Sequence, residues 1–144
     1  MVGLPPEQLF DISVRHLRSH GGGTGHDVAI IEHLRLRVDE DAHQAWISAE
    51  QQCWEPWLEQ QEGFVGRDLL WDPQRQEGIL LIHWASRERW LAIPPEEVAA
   101  VQARFEACAR EALRRGGDQP NPFPLVLATD HPPASPLPAF AAAA

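Results

Sequence analysis

Between Val28 and Ala112 the spacing of apolar residues switches between two and three-to-four, and this succession constrains the fold more than any single motif. VAIIEHLRLRV (28–38) alternates. Val28, Ile30, Leu34, Leu36 and Val38 share one face and His33, Arg35 and Arg37 the other, as in a strand buried on one side. Trp46, Ala49, Cys53 and Trp57 then recur at intervals of three and four. They predict an amphipathic helix from an Asp39 N-cap to about Gln61, kinked in its last turns by Pro56. Gly63 ends that helix, and GFVGRDLLWD (63–72) alternates as a second strand that leaves by the turn Asp72-Pro73-Gln74-Arg75. GILLIHWA (78–85) is nearly continuous in apolar residues, as in an interior strand. Ser86 caps a short helical turn, RERWLA. Pro94-Pro95-Glu96-Glu97 opens a longer helix with the stripe Val98, Val101, Phe105, Cys108 and Ala112. Arg114 and Arg115 suit its C-terminal end, and Gly116-Gly117 stops it. FPLVLAT (123–129) supplies a closing strand that Pro122 and Pro124 confine to an edge.

The resulting order is βαββαβ, an α+β arrangement. It predicts a ferredoxin-like split βαβ unit with an antiparallel-mixed sheet, the first and third strands central and parallel, and two helices on one face. Ile79, Leu81, Val65 and Leu69 alternate onto the opposite face, which then needs a cover; a homodimer is the expectation. The domain spans 28–130. Residues 1–27 read as a short helix, with Phe10, Val14 and Leu17 at helical spacing, followed by a glycine-rich linker. GGGTGHD lacks the Lys of a phosphate loop and follows no strand. Residues 131–144 are Pro/Ala-rich and read as a disordered tail.

The chain of 144 residues carries 12 basic groups, all Arg, against 21 acidic ones, for a net charge of −9. Such a surface repels a phosphate backbone and an anionic membrane alike, so neither nucleic acid nor membrane is an expected partner. No apolar run reaches the roughly 18 residues of a membrane span. Cys53 and Cys108 fall outside any metal spacing or disulfide framework. With no signal-peptide pattern at the N-terminus, a reducing, cytoplasmic setting is expected.

Three segments resemble a known family. Trp54-Glu55-Pro56, Gly63-Phe64-x-Gly66 and Trp84-Ala85-Ser86-Arg87-Glu88-x-Trp90 are similar to a mostly cyanobacterial family within the antibiotic-biosynthesis-monooxygenase-like dimeric α+β barrels, over residues 28 to 112. The resemblance implies a dimeric α+β barrel and a monooxygenase-like, cofactor-independent oxidation of a small aromatic or quinol-type ligand. Such chemistry needs a general base in a dry pocket. Haem-degrading relatives would offer an Asn on the first strand and a His on the second long helix. Neither is present, so no cofactor is expected.

Glu32 stands on the apolar face of the first strand, where a charged carboxylate is costly unless partnered. A salt bridge or an indole N–H would satisfy it structurally; a solvent-open cleft beside Trp84 would make it an acid or base. His83 is the second candidate for catalysis, and adjacent parallel strands would bring it near His33 for a shared ligand or proton relay; the structural alternative places one or both at the dimer interface. Two His make no metal site, and none is expected there or at His16, His20 and His26. Six tryptophans stand in a chain with no Tyr. Trp46, Trp57 and Trp84 fall in core phase, and with His33 they are the candidates to line a cleft for a flat ligand. The competing reading is a non-catalytic module that binds a small ligand or another protein.

Overall fold

The computed structural model describes residues 27–135. The expected N-terminal helix, the glycine linker, His16, His20 and His26, and residues 136–144 of the tail lie outside them.

Strand β1 (Ile30–Arg37) keeps the predicted alternation, with every second residue from Ile30 to Leu36 buried. The chain then enters a 3-10 turn, Glu40–Ala42. Asp39 does not cap this turn with its side chain; its carboxylate instead accepts from Arg37 Nε at 2.8 Å. Helix α1 follows in three consecutive segments: α-helical His43–Ala49, π-helical Glu50–Trp54 and α-helical Glu55–Glu59. The cause lies in Pro56. A proline in an α-helix lacks the N–H for the carbonyl four residues back and its ring collides with that carbonyl, here Gln52. Widening the preceding turn removes the conflict, and the Glu55 N–H reaches the Glu50 carbonyl, five residues back. The kink expected at Pro56 is therefore a π turn just before it.

Gly63, at φ +85°, ends α1 and hands the chain to β2 (Phe64–Asp72). Asp72 closes the hairpin by accepting from the backbone N–H groups of Gln74 and Arg75, at 3.0 and 3.1 Å. Strand β3 (Glu77–Trp84) alternates strictly, burying Gly78, Leu80, Ile82 and Trp84. Gly78 is required where it stands, because a β-carbon there would lie 2.6 Å from Cζ2 of Trp46, whose ring is fully buried beneath it. Ser86 caps helix α2 (Arg87–Leu91) by accepting from the Arg89 N–H at 3.1 Å. Asp27 braces the same turn, accepting from Ser86 Oγ at 2.6 Å and from the Glu88 N–H at 3.0 Å. Helix α3 (Pro95–Ala112) ends before Gly116. Arg114 takes the left-handed conformation (φ 56°) and the Arg115 N–H returns to the Arg110 carbonyl at 2.7 Å. Strand β4 (Leu125–His131) lies two residues later than the apolar run implied.

The sheet order is β2-β3-β1-β4 and every neighbouring pair is antiparallel. Two expectations are corrected. First, β1 and β3 are central but antiparallel, not parallel. The crossover helix returns β2 in the direction of β1, and the hairpin reverses β3 against both. Second, the sheet is open. β2 and β4 are its two edges and do not pair, so the chain is an open α+β sheet with helices and not a closed α+β barrel.

The core lies between the sheet and α1 and α3. Trp46, Trp84, Val101, Phe105 and Phe123 are fully buried there, each large side chain contributing on the order of 1.5–3 kcal/mol of transfer free energy. The other face of the sheet carries Ile31, His33, Ile79, Leu81 and His83. Leu70 and Leu127 are the exposed large apolar groups beside them. Leu69, expected on this open face, lies opposite Leu80 and packs against the core. A bulge at Val65 shifts the phase of β2 between Phe64 and Gly66.

Candidate functional site

The cavity between helices and sheet is assembled from every element except β4. β1 contributes Glu32, Leu34 and Leu36, and β3 contributes Leu80, Ile82 and Trp84. Arg67 comes from β2, Trp90 from α2, and Glu50, Trp54, Trp57 and Leu58 from α1. Ile93 and the α3 residues Val98, Gln102 and Phe105 complete it. Its volume is about 50 Å³, where a single water needs roughly 10–15 Å³. The polar groups on this otherwise apolar wall fall into two sets.

Glu32 is the first. It is 9% exposed, and Trp84 Nε1 donates to its Oε1 at 3.2 Å. Trp90 supplies a second side-chain donor to the same carboxyl. Burial pushes the carboxyl up to about 7, against the pull of the two indole bonds and with a further push from Asp130. Glu32 therefore carries its proton for part of the time near neutrality and can both donate and accept hydrogen bonds.

The second set is Glu50 and Arg67. Arg67 Nη1 donates to Glu50 Oε1 at 2.5 Å and Nη2 donates to the Glu50 backbone carbonyl at 3.1 Å, with Glu55 Oε1 3.6 Å from Nη2. The two side chains are 4% and 1% exposed. Burial raises the Glu50 carboxyl above its ordinary value, opposed by the guanidinium and by a side-chain hydrogen bond from Trp46. The Glu50 carbonyl also closes the π turn, so that turn and the clamp on β2 share one oxygen. In the register of the sheet, Glu32 and Arg67 both lie opposite Ile82. Two strand spacings of ~4.8 Å separate their backbones by roughly 10 Å on the same face.

No protein-family model, curated protein or solved structure matches this chain. The membership suggested by the Trp54, Gly63 and Trp84 segments is thereby corrected, and with it the monooxygenase-like oxidation. That reading rested on a barrel the open sheet does not form and on a family no comparison supports.

Of the residues singled out from sequence, Glu32, Trp57 and Trp84 line the cavity. Trp46 is buried next to it, under Gly78, and is not part of its lining. His83 and His33 lie on the open face of the sheet, so His83 and Glu32 are on opposite sides. His83 Nε2 is 3.3 Å from Asp68 Oδ2. His33 Nδ1 is 3.0 Å from His131 Nε2, and burial, then Arg35 and His131, hold the His33 imidazole below its ordinary value. Antiparallel pairing sets Ile31 opposite His83 and Leu81 opposite His33, so the two imidazoles are not cross-strand partners. Among the described residues no group of three or more His, Cys, Asp or Glu could hold a metal ion.

Sequence reading missed Glu50, Arg67, Trp90 and Gln102. Glu50 and Gln102 each carried a usable signal: Glu50 is four residues after Trp46 and Gln102 four after Val98, both on apolar stripes. Arg67 carried none, since unbroken alternation through Val65 assigns it to the other face.

Proposed function

We infer that this domain is a non-catalytic binding module for a small, flat, largely apolar molecule, held in the cavity between sheet and helices with Glu32 as its polar anchor. The observation that carries this reading is a buried carboxyl set into an apolar, tryptophan-lined cavity, with proton affinity raised to about 7. Trp54, Trp57, Trp84 and Trp90 supply faces and edges for stacking, and the protonatable carboxyl fixes orientation. Binding is favoured over catalysis because the groups on Glu32 are indole N–H donors, which hold it in place. The imidazole first paired with it lies across the sheet.

Phenol is the test ligand; a ring needs more than the about 50 Å³ of free space, so its entry requires the tryptophan side chains of the wall to shift, and binding is followed by tryptophan fluorescence and by the rise in thermal midpoint. The wild type is expected to saturate, and Glu32→Gln to bind phenol about tenfold more weakly with a modest change in stability, the scale of one hydrogen bond to a charged group. Unchanged binding together with a large stability loss would make Glu32 a purely structural residue.

A homodimer through the open sheet face belongs to the same proposal. Ile31, Ile79 and Leu81 with exposed Leu70 and Leu127 give that face an apolar centre, and Arg35 and Arg37 stand on the same strand face as His33. A cytoplasmic setting belongs to the proposal as well; among the described residues no helix is long and apolar enough to cross a membrane.

A further inference from the structure

Cys53 and Cys108 are the chain's two cysteines, and nothing in their sequence spacing pairs them. The fold does. Cys53 belongs to the stripe that α1 turns inward with Trp46 and Ala49, Cys108 to the stripe of α3 with Val101 and Phe105, and the two helices pack on each other. Ala49 and Ala109, both small and fully buried, let the helices approach closely at this level. Cys53 and Cys108 share a side-chain hydrogen bond. Cys108 Sγ also donates to Oε1 of Gln52, the residue before Cys53, at 3.1 Å. Both cysteines are half-buried free thiols, within reach of a small solute.

Two thiols in contact across a helix interface have a reaction open to them that a lone thiol lacks, closure to an internal disulfide. Burial and the neighbouring Cys108 push the Cys53 thiol up, with Arg104 opposing, so Cys53 keeps its proton at neutrality. Cys108 is then the sulfur that meets an oxidant first, and the Gln52 amide, turned about its last bond, offers its thiolate an N–H donor. With hydrogen peroxide, the Cys108 thiolate attacks one oxygen and the O–O bond breaks. The departing hydroxide takes up the proton that Cys108 had lost, and a sulfenic acid remains on Cys108. Cys53 Sγ attacks that sulfur, the S–O bond breaks, and the hydroxyl leaves as water with the Cys53 proton. Two thiols have lost two electrons and the peroxide has become two waters. The new bond ties the π segment of α1, which carries Trp54 and precedes Trp57, to α3 beside Phe105. These three residues line the cavity and neither cysteine does.

We propose that Cys53 and Cys108 are a reversible dithiol–disulfide couple whose closure by peroxide pins the π segment of α1 to α3 and so hinders the shift of the tryptophan wall that admits a ring. The effect on the ligand rests on reading the cavity as a binding site; the couple itself does not. In the test, the full chain is exposed to hydrogen peroxide and its remaining thiols are trapped by alkylation. The masses of the intact chain and of the peptides carrying the two cysteines are read, then the thermal midpoint and phenol binding. The wild type is expected to stay a single chain by mass, to give one linked peptide lighter by two hydrogens than its halves, to melt higher, and to revert with dithiothreitol. The oxidised form is expected to bind phenol about tenfold more weakly than the reduced form. Cys53→Ser and Cys108→Ser are expected to bind phenol like the reduced wild type with or without peroxide. Thiols that are still alkylated after peroxide, oxidised singly to sulfinic acid or linked between copies would overturn the couple. A disulfide that leaves phenol affinity unchanged would overturn its hold on the wall. A disulfide formed in a chain whose reduced form binds no phenol would overturn the cavity reading and leave the couple standing.

Discussion

A carboxyl that takes up its proton at about 7 in the folded chain, against 4.5 ordinarily, makes the fold tighter in acid than at neutrality. Between those two values the native state binds more protons than the unfolded one. The contribution of Glu32 is thus fully present below pH 4.5 and is lost as pH rises through 7, over a range worth roughly 3 kcal/mol. His33 works the other way, because its folded value is depressed and its contribution is lost as pH falls below 6.5. The difference between wild type and Glu32→Gln isolates the carboxyl. Urea denaturation at pH 5 and pH 8 is expected to show the wild type losing about 2–3 kcal/mol more than the variant across that interval. Equal losses would mean that Glu32 is ionised throughout. The same residue shows what was legible at this scale. A carboxylate in an apolar alternation is a visible anomaly and pointed to the cavity, and to the indole partner, without any structure. Glu50 presented the same anomaly in a helical stripe. His83 lies on the open face, as the alternation that buries Leu80, Ile82 and Trp84 requires and as the dimer-interface reading of the two imidazoles has it.

At the level of elements, α1 and β2 are joined by the buried Glu50–Arg67 clamp. Removing one partner leaves the other charge stranded, whereas removing both leaves an apolar gap that can be filled. Arg67→Met is expected to lower stability by about 3–5 kcal/mol, and Glu50→Met in the same chain to recover most of that loss. A double-mutant cycle by urea denaturation measures the coupling. Additive losses in the cycle would show that the clamp is not a unit. The existence and order of helices and strands were readable because periodicity reports burial directly. Their irregularities were less so. The π turn was foreseeable as a disturbance at Pro56 but not in kind. The Val65 bulge had no marker beyond the neighbouring glycine, and it alone decides that Arg67 points into the cavity. The left-handed residue that ends α3 is Arg114, in place of the glycines that ordinarily take that role.

For the whole molecule, the antiparallel direction of β1 and β3 follows from connectivity: a crossover keeps direction and a hairpin reverses it. The βαββαβ order already contained that direction, so the parallel pairing was a misreading of it, whereas the closed barrel came from the resemblance alone and the open sheet overturns it. The open face, with Leu70 and Leu127 exposed on it, is where a second copy would pack. Light scattering on the eluting peak at tens of micromolar is expected to give a mass near twice 16.1 kDa, and Leu81→Asp to return it to one copy. A single-copy mass at every concentration would remove the homodimer.

The indole N–H groups offer the most direct view of the cavity. Trp84 and Trp90 hold Glu32 at its wall, whereas Trp71 donates to the Val38 carbonyl at 3.0 Å and stacks on His43, away from it. In a nitrogen–proton correlation spectrum titrated with phenol, the Trp84 and Trp90 indole signals should move together and saturate, with Trp71 unmoved. If no indole signal moves, or Trp71 moves and the other two do not, the molecule does not bind its ligand between the helices and the sheet.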